Sequence, residues 1–236
     1  DWSVTGVQTC ALPISGRAAD RAGRGRGARV VEWSCVSDRR SDPAQQFPPD
    51  PADLTGFPFT TTLPDTWFRE HADRSASAGH GCWWFSGHDE ADEPIGRFDL
   101  PAPDGTCYLG ETVGVAVRER CGRFLAAHLP IPQTHLEGRV VSMVRLPELA
   151  GRVADLTDPR AALFGVTGEL AAGIDYLLSS AWARALRAAG LRGGIHFLPR
   201  FTPGHEHALA VFGKGGDRDW GIVGEPAPLV DALAAI

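Results

Sequence analysis

An α+β fold, built as one compact mixed-sheet domain, is the class this sequence predicts, and three observations predict it. Apolar runs short enough to be strands alternate with two segments of helical period along most of the chain. The chain has 236 residues, 43% of them hydrophobic, which suits one sizeable core with extensions better than two domains. No internal repeat of solenoid or propeller period is present.

Residues 1–42 differ in character from the remainder of the chain. Val4 to Ile14 (VTGVQTCALPI) resembles the translation of a sequencing-library adapter, and the run GRAADRAGRGRGARV after it has neither helical nor strand period. Such a stretch cannot build a core, so an artefactual or disordered extension is expected, with a nucleic-acid arm as the competing reading of its arginines. Residues 43–59, centred on Phe47-Pro48-Pro49-Asp50-Pro51, read as a Pro-rich lead-in, 60–215 as the domain and 216–236 as a C-terminal extension.

Within the domain, β-branched and aromatic residues cluster between Gly and Pro punctuation at Thr106 to Leu109, Arg139 to Val144, Arg152 to Leu156, Gly194 to Leu198 and His207 to Phe212, and predict strands. Val113 to Ala127 and Ile174 to Ala189 predict helices. In the second, Leu178, Trp182, Ala185 and Leu186 form one apolar stripe, and Gly190 is the expected stop. Trp83-Trp84-Phe85 reads as core, with a stacking platform as the alternative.

Composition excludes several functions. The net charge of -6, with no basic cluster beyond residue 42, argues against a phosphate-tracking surface, so direct nucleic-acid binding is not expected. Lys214 is the one lysine among 23 basic residues, in a chain rich in Ala, Gly, Arg and Pro, a bias that suggests a GC-rich bacterial genome. The five cysteines form no CxxC pair and read as reduced thiols. With no long apolar run and no signal-peptide pattern, a cytoplasmic protein without membrane contact is expected. There is no dinucleotide-binding GxGxxG in a strand-to-helix context, no P-loop, no GxSxG and no HExxH. His205-Glu206-His207, with His196 near in sequence, could set two imidazoles on one strand face, but two histidines without a third ligand rarely specify a site and no metal is expected.

Three segments together resemble the RES family, whose members are often toxins of bacterial toxin-antitoxin pairs. They are Trp67-Phe68-Arg69-Glu70-His71; then Gly96-Arg97-Phe98-Asp99-Leu100-Pro101 leading through Gly105-Thr106-Cys107-Tyr108-Leu109-Gly110 to Ala116-Val117-Arg118-Glu119; and then Arg152 to Pro159, Asp175-Tyr176, Ser180-Ala181-Trp182-Ala183 and Gly194 to Arg200. The resemblance implies a fold related to ADP-ribosyltransferase toxins. It also implies cleavage of the nicotinamide-ribose bond of NAD by water or phosphate, as an NAD glycohydrolase or phosphorylase, with NAD as substrate rather than cofactor. Inorganic phosphate and a helix-turn-helix antitoxin are the partners it suggests. The chain departs from the family at Pro199, where a serine is expected: proline has no hydroxyl, so Ser179, Ser180 or Thr202 would have to substitute or activity is altered. A binding protein of weakened turnover and an ADP-ribosyltransferase are the alternatives.

The chemistry gives these residues work. Breaking the nicotinamide-ribose bond builds positive charge on the sugar, which a carboxylate in a water-poor site stabilises, and Glu119 is the candidate. The diphosphate offers paired oxygens that guanidinium forks match, and Arg97 and Arg69 are the candidates. Tyr108 offers a flat face for nicotinamide and a hydroxyl for ribose or phosphate oxygen. Arg200 and Ser180 complete the expected substrate-binding set.

Overall fold

The structure, a computed structural model, describes residues 44–76, 79–89 and 92–236. The adapter-like and arginine-rich stretches lie outside the described residues. Among the described residues the strands are, in chain order, β1 (Phe59–Thr60), β2 (Thr66–Ala72), β3 (Trp84–Phe85), β4 (Gly87–His88), β5 (Leu100–Pro101), β6 (Asp104–Gly110), β7 (Arg139–Arg145), β8 (Val153–Asp155), β9 (Gly194–Phe197), β10 (Ala208–Lys214), β11 (Gly216–Asp217) and β12 (Val223–Pro228). The helices are α1 (Val113–Ala126), α2 (Gln133–Leu136), α3 (Gly168–Ala172), α4 (Tyr176–Ala188) and α5 (Leu229–Ala234).

Eight strands form one sheet in the order β1-β8-β9-β10-β6-β2-β7-β12. Its parallel pair is β8 with β9, joined by a crossover that carries α3 and α4; the other neighbours are antiparallel. This is the mixed-sheet α+β domain that the alternation of patterns predicts. Both long helices begin on a side-chain cap: Thr112 accepts the Val115 N–H, and Asp175 accepts the Leu178 N–H. Gly190 ends α4 in the left-handed region, at φ 98°. The stripe on α4 is buried as expected, with Trp182 1% exposed and Leu186 fully buried against Phe98, Ile195, Ala210 and Phe212 of the main core.

The opposite face of the sheet packs a second cluster, Trp67, Trp83, Phe85, Cys107, Leu109, Leu209 and Val211. Trp83 and Phe85 are therefore core, while Trp84 is half-buried with His80 stacked on it at 3.5 Å. Strand parity assigns the faces. Tyr108, between Cys107 and Leu109, turns toward α1 and α4, whereas Arg69, two residues from Trp67, turns away.

Two expected boundaries move outward. The stretch expected as a lead-in is anchored to the body: Gln45 takes the Thr167 N–H and donates to the Gly165 carbonyl, while Leu54 and Phe57 are core. The stretch expected as an extension supplies β11 and β12 and the helix α5, whose fully buried Leu229 packs with Val117 and Val141. No helix among the described residues is long and apolar enough to cross a membrane.

At the β8–β9 pair, Asp155 meets His196 Nδ1 at 3.2 Å and accepts the Thr157 hydroxyl at 2.6 Å. Burial acts to raise this carboxyl's pKa, but the His196 and Thr157 hydrogen bonds outweigh it and bring it down to about 2. Because the folded value lies below the unfolded one, the contribution is present above the unfolded pKa of about 3.9 and disappears as pH falls toward 2. Asp155→Asn is expected to lower stability at neutral pH by about 1–2 kcal/mol and to flatten the acid loss between about pH 4 and 2, read by urea unfolding across that range.

Candidate active site

The site is assembled on the helix-covered face from α1, the Gly96–Asp99 turn and the loop after β9. Glu119 lies on α1, and its Oε1 accepts the Phe201 N–H at 3.3 Å. By accessible area the residue is exposed, yet desolvation by the surrounding protein is the largest influence on its carboxyl. Desolvation raises its pKa; the Phe201 N–H and then the charges of Arg97 and Arg200 oppose the rise. The loop reaches the helix because Gly122, one turn on from Glu119, leaves room for the Phe201 ring: a Cβ there would stand 2.2 Å from Phe201 Cγ.

Arg97 is 8% exposed, donates to the Gly173 carbonyl and lies over the Tyr176 ring with its Cζ 5.1 Å from the centroid. Burial lowers its pKa, and the nearby charges of Glu119 and Arg200 act on it in opposite senses. Arg200 is exposed, over the Phe201 ring at 5.1 Å. One carboxylate thus lies within the electrostatic influence of two guanidinium groups, a buried one from the turn and an exposed one from the loop.

The turn that presents Arg97 is held by Asp99, which is fully buried. Its carboxylate accepts the Gly96 N–H at 2.7 Å, the Ser86 hydroxyl at 3.0 Å and the Tyr108 hydroxyl at 2.9 Å. Burial raises the Asp99 pKa and these three donors oppose it. Position 96 must be glycine, since a Cβ would meet Asp99 Oδ1 at 2.5 Å and the Tyr108 hydroxyl at 2.7 Å. Asp99→Asn keeps the shape but replaces one acceptor oxygen with a donor facing the Tyr108 hydroxyl. Leaving such a buried group unpaired costs about 1–3 kcal/mol. A raised KM for substrate is expected, from a loosened Arg97, with kcat changed less; steady-state kinetics read the split.

This geometry bears on four expectations. The Tyr108 hydroxyl is engaged within the protein, donating to Asp99 and accepting the Phe98 N–H at 2.7 Å, and so positions the Arg97 turn. Burial, with the neighbouring Asp99, pushes its pKa well up. Arg69 stands apart from Glu119, Arg97 and Arg200. Where β2 and β6 meet at Phe68 and Gly110, it donates to the Tyr108 carbonyl at 3.0 Å, the Trp84 carbonyl at 3.2 Å and Cys107 Sγ at 2.7 Å, a strand-joining role on the other face. Ser180 is buried under the turn, donating to the Asp99 carbonyl at 2.7 Å with His88 Nε2 3.3 Å away, so it too supports the turn from beneath. His207 meets His196 rather than His205, ring centroids 4.5 Å apart, each held by a carboxylate, Glu111 and Asp155.

Pro199 is buried at the position where a hydroxyl is expected. Of the substitutes, Ser179 is directed at the Asp175 and Tyr176 carbonyls of its own helix, whereas the buried Thr202 hydroxyl, beside Phe201, has no hydrogen-bond partner among the described residues. The Phe201 N–H is invisible to sequence reasoning, because every residue but proline carries a backbone donor.

A mixed-sheet domain carrying a carboxylate under the influence of two arginines, with a buried aspartate holding the turn of one of them, is the class of protein that fold and site define. Residues 66–221 match the RES domain family, and the chain belongs to it. In structure it is similar to the toxin chain in the crystal structure of the M. tuberculosis MbcT–MbcA toxin–antitoxin complex, with a TM-score of 0.50 and 16% identity, covering 78% of this chain and 93% of that one. At that identity the likeness is one of fold. No match was found among curated proteins.

Proposed function

We propose that the chain cleaves the nicotinamide-ribose bond of NAD, passing the ADP-ribosyl group to water or phosphate. The observation that carries this reading is Glu119, a partly desolvated carboxylate held by the Phe201 N–H within reach of Arg97 and Arg200. In the reaction the bond pair leaves with the nicotinamide nitrogen, and positive charge develops on the ribose. Glu119 faces that charge, and in partial exclusion from water its stabilisation exceeds what it would give in bulk solvent. Arg97 and Arg200 hold the diphosphate, the buried guanidinium fixing its position and the exposed one closing over it. Water then attacks the ribose carbon and releases its proton to solvent, giving ADP-ribose; phosphate gives the phosphorylated sugar.

Membership of the family and the likeness to MbcT support a further part of the proposal, that this chain is the toxin of a pair restrained by a small helix-turn-helix antitoxin. The test of the chemistry is nicotinamide release from NAD by the full chain, followed by chromatography, in buffers with and without phosphate. Release is expected, and its dependence on phosphate separates phosphorolysis from hydrolysis. Folded protein that releases none in either buffer would sink the enzyme reading.

One observation favours a second reading, a binding protein of weakened turnover: Pro199 offers no hydroxyl. Pro199→Ser discriminates, since a rise in nicotinamide release marks a site limited by the proline, and no rise shows that residue 199 is not what limits it.

A further inference from the structure

The proposed reaction leaves the adenosine half of the dinucleotide without a seat, and the surface beside Arg97 offers one. Glu93, Pro94, Ile174, Asp175, Tyr176 and Leu177 line a cavity of about 220 Å³. That is below the roughly 300 Å³ at which pockets for drug-sized ligands begin, so it suits one ring system and not a whole dinucleotide. Its lining mixes polar and apolar surface, the Glu93 and Asp175 carboxylates beside exposed aliphatic side chains: Ile174 is 80% exposed and Leu177 53%, with Ile95 in the adjoining turn at 84%. A gathering of aliphatic side chains in water marks a binding surface more often than an isolated one does.

Arg97 joins this slot to the candidate active site. Its guanidinium lies over the Tyr176 ring and donates to the carbonyl of Gly173, the residue before Ile174, while its charge acts on Glu119. The order is slot, buried arginine, carboxylate. The chemical order of the proposed substrate is the same: base, diphosphate, ribosyl bond.

We infer that the slot takes the adenine base of NAD, an assignment that rests on the NAD reading above. Ile174, Tyr176 and Leu177 supply flat and aliphatic contact to the ring. Glu93, exposed at the rim, accepts the exocyclic amine; Asp175 is occupied in capping α4. A carboxylate acceptor at that edge favours adenine over hypoxanthine, which presents a carbonyl oxygen in place of the amine.

The test uses the full chain with two variants, Leu177→Asp and Glu93→Gln. Leu177 lies in the first turn of α4, where the helix dipole favours an acidic residue, so the fold is retained and a thermal unfolding curve verifies it. Calorimetric titration of ADP-ribose is expected to show affinity about tenfold weaker or worse in Leu177→Asp. Nicotinamide release from nicotinamide mononucleotide, which has no adenine, stays unchanged. Glu93→Gln is expected to narrow the preference for NAD over its hypoxanthine analogue. Wild-type ADP-ribose affinity in Leu177→Asp overturns the assignment while the NAD reading survives, and would be the result if the patch served a protein partner instead. A wild type that neither binds ADP-ribose nor releases nicotinamide from either substrate overturns both.

Discussion

Glu119→Gln is expected to lower nicotinamide release by about 10²–10³-fold, the scale seen when one preorganised electrostatic group is removed from a reacting centre. The amide is nearly the same size and its oxygen can still accept the Phe201 N–H, so the substitution takes away charge with little change of shape. Full activity in a folded Glu119→Gln protein would remove the carboxylate from the mechanism. The pH profile supplies a second reading. Desolvation raises the Glu119 pKa, and the reaction needs the ionised form, so kcat/KM should fall as pH drops through a value higher than that of a free glutamate. Arg200 lowers that pKa through its charge; Arg200→Gln should therefore move the acid limb to higher pH, besides weakening diphosphate binding. A limb unmoved by Arg200→Gln would place the titrating group elsewhere.

The sequence carries the fold further than it carries the site. Helix α4 is legible because Leu178, Trp182, Ala185 and Leu186 repeat at a helical period and face one core. Strands β6, β7, β9 and β10 are legible because their β-branched and aromatic runs lie between turn residues. Strand β2 is not, since Arg69, Glu70 and His71 interrupt its apolar character. In the fold Glu70 is matched by Arg139, and His71 by the Ser142 hydroxyl at 2.7 Å. Strand β12 is hidden by Gly224, Pro226 and Pro228, which read as turn chemistry but are tolerated at the sheet edge where this strand lies.

In the site, Arg97, Glu119 and Arg200 are candidates from sequence and are brought together by the fold. Arg69 and Tyr108 are candidates too; the first lies on the other face and the second has its hydroxyl engaged at the Arg97 turn, because residue type does not tell which face of a sheet a side chain takes or whether its hydroxyl already has partners. Asp99 lies within the same Gly-Arg-Phe motif, yet residue type alone gives it no role. Burial is its signal: a lone acid between Phe98 and Leu100, both fully or almost fully buried, has to be hydrogen-bonded.

The closeness of helix and loop at Gly122 yields a test of whether the loop after β9 makes the site. Glycine inside a helix is ordinarily less favourable than alanine by about 1 kcal/mol, so Gly122→Ala in isolation would strengthen α1. Here the added Cβ overlaps the Phe201 side chain, with Cγ at 2.2 Å and Cβ and Cδ2 at 2.5 Å. The ring is not the far end of a flexible chain: its backbone N–H is the donor to Glu119, and its neighbour Arg200 is the second guanidinium of the site. Gly122→Ala is expected to destabilise the protein by about 1–3 kcal/mol, the usual effect of overpacking, and to reduce nicotinamide release by more than tenfold as the loop is lifted from Glu119. Loss of that N–H removes one of the influences holding the Glu119 pKa down, so the acid limb should also shift to higher pH. The double variant Gly122→Ala with Phe201→Gly removes the overlap, Cβ included, but keeps the backbone donor. Stability and activity should both recover relative to Gly122→Ala alone, a non-additive result that two independent sites cannot give. If Gly122→Ala instead releases nicotinamide at the wild-type rate, the loop contributes nothing to Glu119, and α1 with the Gly96–Asp99 turn would suffice for the chemistry.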